Sequence, residues 1–189
     1  MMTGMPSRLS PDVYVMLRPR RAFADLALLP SSNRSWLLWR RPLIEVLILS
    51  TSISLLTSGH FSLHLAGSTA IYWAFVPLVQ IAGLVAVWRA WPEPRLVDRY
   101  FTGHGPWLLW LIAFAAYNSS PAGAMASPAA FTFWEASAAI VLLWSGWIDY
   151  RFFGSVQKLA LHRTVSWTLF VAIFAGAWIW NEIAWRTGL

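Results

Sequence analysis

Long apolar stretches alternate with short polar segments along this chain, and most of the polar segments carry arginine. The stretches run over about 43–58, 70–91, 105–118, 131–150 and 164–185. Within each the apolar positions are continuous, without the two-residue alternation of a half-buried strand. In hydrocarbon a continuous run favours a helix, which satisfies its own amides, over a barrel strand, which must alternate its faces. A bilayer core of ~30 Å takes roughly 20 helical residues. The second, fourth and fifth stretches have that length, whereas the first and third are short. A re-entrant pair formed by the third and fourth is the alternative, but Ser119-Ser120-Pro121-Ala122-Gly123 between them reads as a surface turn. Pro77 predicts a kink in the second stretch, and Gly83 lets a neighbour approach closely.

Composition removes the soluble alternative. Apolar side chains make up 58% of the 189 residues and charged ones 12%, about half the usual charged share. The 14 tryptophans and 11 phenylalanines are more bulky apolar surface than a water-soluble globule of this size hides. Disorder is excluded on the same ground. The absence of cysteine removes disulfide scaffolds, thiolate metal sites and thiol catalysis.

The net charge of +6 is explained by topology rather than by nucleic acid. If the chain weaves through a bilayer five times, 13 of its 14 Lys and Arg residues fall on one side, and the connections after the first and third stretches hold none. Positive charge is retained in the cytoplasm, which predicts an inside N-terminus and an outside C-terminus. Tryptophans near the stretch ends (Trp36, Trp39, Trp88, Trp91, Trp107, Trp144, Trp147) fit an interfacial belt. The expected fold is therefore an all-α polytopic bundle of five spans, with a basic leader at 1–41 and a transmembrane domain at 42–189. The leader lacks the apolar core and cleavage site of a secretory signal, so the first span is expected to act as an uncleaved anchor.

Within the leader, Pro19 suits a first helical position and Pro30 stops the run. Ala22, Phe23, Leu26 and Leu29 recur at helical spacing between them, which predicts an amphipathic helix over 19–29, too short to cross a membrane. Flanked by Arg18, Arg20 and Arg21, it either lies on the bilayer with Phe23 and Leu26 dipping into the acyl boundary, held by anionic lipid, or packs on the cytoplasmic ends of the bundle. The sequence leaves both open.

Ionisable groups inside a membrane are the default functional candidates. Glu45 stands one turn after Arg41 and Glu182 one turn before Arg186, spacings that favour local pairing. Asp149 lies beside Arg151, and Glu135 has no local partner. Gln80, near the middle of the second stretch, reads as interhelical glue, and Ser50, Thr51, Ser52, Ser54, Thr57 and Ser58 read as a close-packing face. His60 and His64 have the spacing at which two imidazoles share a metal or contact a pigment, with Glu135 and Glu182 expected on the same side. Gly59 argues against one continuous helix there, and ordinary interfacial histidines are the preferred reading. No cofactor is predicted. His104 and His162 are expected on the opposite, cytoplasmic side. No proton relay, phosphate loop, dinucleotide fingerprint or nucleophile elbow is visible.

The segment Leu17-Arg18-Pro19-Arg20-Arg21-Ala22-Phe23-Ala24-Asp25-Leu26 resembles the leader of bacterial members of the Yip family, the Ypt/Rab-interacting membrane proteins. Leu143-Trp144-Ser145-Gly146-Trp147-Ile148, followed by Tyr150-Arg151-Phe152-Phe153, is similar to that family's tryptophan-containing segment before a short cytoplasmic connection. The resemblance implies five spans, an inside N-terminus, a bacterial inner-membrane location and no catalytic residues. The lack of a catalytic constellation and the large aromatic surface point to a non-enzymatic organising or accessory subunit that binds lipid and other integral membrane proteins. The alternatives are a pigment- or cofactor-contacting subunit of a photosynthetic or electron-transfer complex, and a small transporter or intramembrane enzyme using Glu135, His60, His64 and Glu182.

Overall fold

The computed structural model describes residues 10–27, 34–88, 93–124 and 127–156, together with Thr168 and Ile179. Among these the fold is all-helical, without strands. The leader forms α1 (Pro11–Leu17) and α2 (Pro19–Ala27), and α3 (Trp36–Ser58) follows. A second long rod is built from α4 (Leu63–Trp73) and α5 (Phe75–Trp88). Then come α6 (Pro94–Thr102), α7 (Gly105–Asn118), the single turn α8 (Pro121–Ala124) and α9 (Pro128–Val156). Three stretches are long and apolar enough to cross a membrane: Trp36–Ser58, Leu63–Val87 and Pro128–Gly154.

The first of these is longer than the hydropathy pattern indicates. It begins at Trp36 and carries Arg40, Arg41 and Pro42 as helical residues, giving 23 in all. Proline so near a helix start removes one hydrogen bond and leaves the helix running. In the second rod the helix is interrupted at Ala74, where α4 stops and α5 begins, three residues before the Pro77 at which a kink was expected. Pro77 cannot donate to the Trp73 carbonyl and its ring crowds that oxygen, so the ladder breaks just ahead of the proline. Helix α7 has 14 residues and, at 1.5 Å per residue, is about 21 Å long, too short to cross alone. The stretch expected at 164–185 lies outside the described residues apart from Thr168 and Ile179.

Helix α3 packs against α4, α6 and α7, while α9 packs against α2 and α7. The small-residue set of α3 is used in part: Ser50 and Ser54 are buried on one face and Ser52 on the other, while Thr51 and Ser58 are half-buried and Thr57 is exposed. Gly59 takes a left-handed conformation, φ +70°, to end α3. The Ser54 hydroxyl then accepts the Ser62 N–H at 3.1 Å, and Ser62 in turn caps α4. At the opposite end an apolar core gathers Val15 and Phe23 from the leader, Leu84 from α5, Tyr100 and Phe101 from α6, and Ile148, Phe152 and Phe153 from α9.

This core decides between the two placements of the leader helix. Phe23 is fully buried, edge-on to the Phe152 ring at 5.3 Å, so it faces protein and not acyl chains. Aromatic partners from α6 and α9 supply the apolar surface that lipid would otherwise offer. Arg18, Arg20 and Arg21 remain exposed, and Leu26 lies within α2. Three indoles, among them Trp107, which was expected at the bilayer boundary, help seal α7 to α9. Trp107 stacks on Trp110 at 5.2 Å, Trp134 lies edge-on to Trp110, and the Trp110 Nε1–H donates to Ser137 Oγ at 2.8 Å.

Candidate functional site

The corner between α6 and α7 reads Thr102-Gly103-His104-Gly105-Pro106. Pro106 suits the first turn of α7, where a missing N–H costs nothing. Gly103 lies hard against α9: a Cβ there would stand 2.8 Å from Ile148 Cγ2 and 3.4 Å from Asp149 Oδ1. This close approach inserts His104 between α3 and α9. Its Nδ1 is 2.8 Å from Glu45 Oε2, and its Nε2 is 3.8 Å from Asp149 Oδ1. Glu45 and His104 are only 3% and 6% exposed. The rings of Tyr100 and Phe101 meet the imidazole edge-on, with centroids at 5.0 and 5.2 Å.

Two opposing effects act on His104. Burial alone pushes its pKa down, while the Glu45 carboxylate, the hydrogen bond it accepts and the nearby Asp149 push it up. The carboxylates outweigh both burial and the repulsion from Arg41, so the net shift is upward. His104 thus stands between two carboxyl side chains, in hydrogen-bond contact with Glu45 through Nδ1. Tyr100 Oη, Ser145 Oγ and Asp149 Oδ1 are buried with no hydrogen-bond partner among the described residues. Ser145 precedes Asp149 by one turn on α9.

A second set of charges stands around this cluster. Arg40 grips Asp98 of α6 with bonds of 2.9 and 2.8 Å from Nη2 and 3.1 Å from Nε. Arg41 pairs with Asp12 of α1 and lies 3.3 Å from Asp98. The pairing expected between Arg41 and Glu45 is therefore replaced: Arg41 turns to the leader and α6, and Glu45 turns to His104. Asp149 likewise faces His104, while the Arg151 guanidinium lies 4.0 Å over the Trp147 ring. Asp98 joins α6 to α3 through two guanidiniums, so Asp98→Ala is expected to cost about 1.5–3 kcal/mol, read as a lower melting temperature in detergent.

The residues that sequence reasoning favoured are dispersed. His60 lies in the turn after α3, with Nδ1 2.8 Å from the Ser58 carbonyl, and His64 opens α4; both are exposed and they share no helix. Gln80 is buried on α5, its Oε1 without a partner among the described residues. Glu135 is on α9, and Glu182 lies outside the described residues, as does His162. Among the described residues no group of three or more His, Cys, Asp or Glu is placed to hold a metal ion. The cluster that does form is not visible in the sequence because Glu45 and Asp149 have arginines close by in the chain, and His104 is marked only by its expected cytoplasmic side. The signal available was the corner itself, a histidine between two glycines with proline following. No protein-family model, curated protein or solved structure matches this chain.

Proposed function

We propose that this chain is a non-enzymatic membrane subunit that works by holding partner helices, with five spans, a cytoplasmic N-terminus and a bacterial inner-membrane setting. A distant kinship to the Yip family belongs to the same reading. The supporting observation is α9. Phe133, Ile140 and Leu143 are 66%, 65% and 63% exposed along a helix long enough to span a bilayer. Its charged end is meanwhile occupied by contacts to the leader and the α6–α7 corner. Surface of this kind is covered by lipid or by another protein's helices, and small-residue and aromatic packing is what joins helices there. Photoreactive amino acids placed at 133, 140 and 143 are expected to give discrete crosslinks to one or a few polypeptides in native membranes. Adducts to lipid alone at all three positions overturn the reading.

One observation favours a second reading, a small proton-coupled transporter. Glu45, His104 and Asp149 form a buried carboxylate–imidazole–carboxylate series, and buried ionisable groups in membrane proteins commonly mark proton paths. Glu45→Gln keeps an acceptor for the His104 N–H while removing the charge. If that variant folds and assembles but abolishes the phenotype restored by the wild-type gene, the transporter reading replaces the first.

A further inference from the structure

We infer that the groove between the leader and the end of α9 is a binding site for the phosphate of an anionic phospholipid. The groove is a shallow, open depression of about 480 Å³, lined by Arg18, Pro19, Arg20 and Arg21 from the α1–α2 corner and by Trp147 and Arg151 from α9. The Phe23–Phe152 contact sets these two elements side by side, so residues more than a hundred positions apart share one surface.

Its charge is unbalanced. Arg40 and Arg41 are held by Asp98 and Asp12, but among the described residues Arg18, Arg20, Arg21 and Arg151 make no ion pair with any carboxylate. Four guanidiniums around one groove repel one another, and an anion placed among them turns that repulsion into attraction. Arg151 is poised rather than free, because its guanidinium sits 4.0 Å over the Trp147 ring and 5.8 Å from that of Tyr150. Planar guanidiniums take phosphate oxygens two at a time, which favours phosphate over a simple halide.

The surroundings argue for a lipid over a free phosphate. The groove opens where the apolar span of α9 ends, the depth at which tryptophan and arginine meet headgroups. Exposed Leu17 precedes Arg18 in the chain, and exposed Leu143 and Trp144 lie one turn before Trp147 on α9. An inorganic ion has no use for that apolar rim, whereas the first part of an acyl chain would cover it. The inference rests on the membrane reading of the chain, but not on the existence of partner subunits.

Native mass spectrometry of the detergent-purified full chain separates the possibilities. Phosphatidylglycerol is expected to stay bound under conditions that strip phosphatidylcholine, and millimolar inorganic phosphate is expected not to displace it. Each guanidinium removed is expected to weaken phosphatidylglycerol about fivefold, so the triple replacement Arg20→Gln, Arg21→Gln, Arg151→Gln weakens it roughly a hundredfold. The single variant Arg20→Gln, at an exposed position outside the core, gives the fivefold step even if the triple variant folds poorly. Equal retention of both lipids, displacement by inorganic phosphate, or an unchanged affinity in the Arg20→Gln variant overturns the site. Failure here leaves crosslinking from α9 intact, and failure of that crosslinking leaves this assay intact, so the two can be told apart.

Discussion

His104→Ala is expected to destabilise the folded chain by about 3–5 kcal/mol, because removing one member of a buried ion pair leaves the other charged and desolvated. Glu45 is 3% exposed, and without His104 the carboxylate keeps no hydrogen-bond donor within the described cluster. Glu45→Ala should cost a similar amount from the other side. The double replacement Glu45→Leu, His104→Phe removes both charges and refills the volume, and it should recover most of the loss. A pH dependence comes with the pair. The His104 pKa is raised above its ordinary 6.5, so the folded state holds this proton more tightly than the unfolded chain does. The stabilisation is then complete below about pH 6.5 and is lost as pH rises through the higher folded value. Thermal unfolding followed by tryptophan fluorescence should show the wild-type melting temperature falling on the alkaline side, with that slope reduced in His104→Ala. A wild-type profile that rises through this window, or two single variants each within 0.5 kcal/mol of wild type (roughly the scatter of neutral surface changes), removes the pair from the account.

What could be read ahead of the structure follows from the range of each interaction. Helical class was legible because continuous apolar runs and a scarcity of charge are properties of the chain itself. The serines of α3 were legible in part: Ser50 and Ser54, one turn apart, share a buried face, but Ser52 is buried on the other side and Thr57 is exposed. The start of α3 was misplaced because Arg40 and Arg41 look like a boundary until Asp98 and Asp12, distant in sequence, neutralise them. The carboxylate–imidazole cluster was missed in the same way. Spacing offers Glu45 a partner four residues before it, but the partner it takes lies 59 residues later. The leader was half legible: its helix and basic residues were clear, while the environment of Phe23 depended on rings supplied by α6 and α9.

Phe152→Ala is expected to cost about 3–5 kcal/mol and to loosen the leader from the bundle. The Phe152 ring is fully buried and meets Phe23 at 5.3 Å, Tyr100 at 5.5 Å and Phe153 at 5.2 Å, so its removal empties the point where α2, α6 and α9 converge. Phe23→Ala deletes one of those contacts from the leader's side and should release α2 while disturbing the α6–α9 contact less. Trypsin reports this directly, because Arg20 and Arg21 are exposed but sit on a docked helix that does not fit a protease cleft until it unwinds. Both variants should therefore be cut at these arginines much faster than wild type, and Phe133→Ala, at an exposed position, should not. Detachment of α2 also separates Arg20 and Arg21 from Arg151, so phosphatidylglycerol retention should fall in Phe23→Ala although no charge has been removed. If trypsin cuts Phe23→Ala no faster than wild type, the Asp12–Arg41 pair and the bond from Trp144 Nε1–H to the Met16 carbonyl are sufficient to hold the leader, and the aromatic contact is not what docks it.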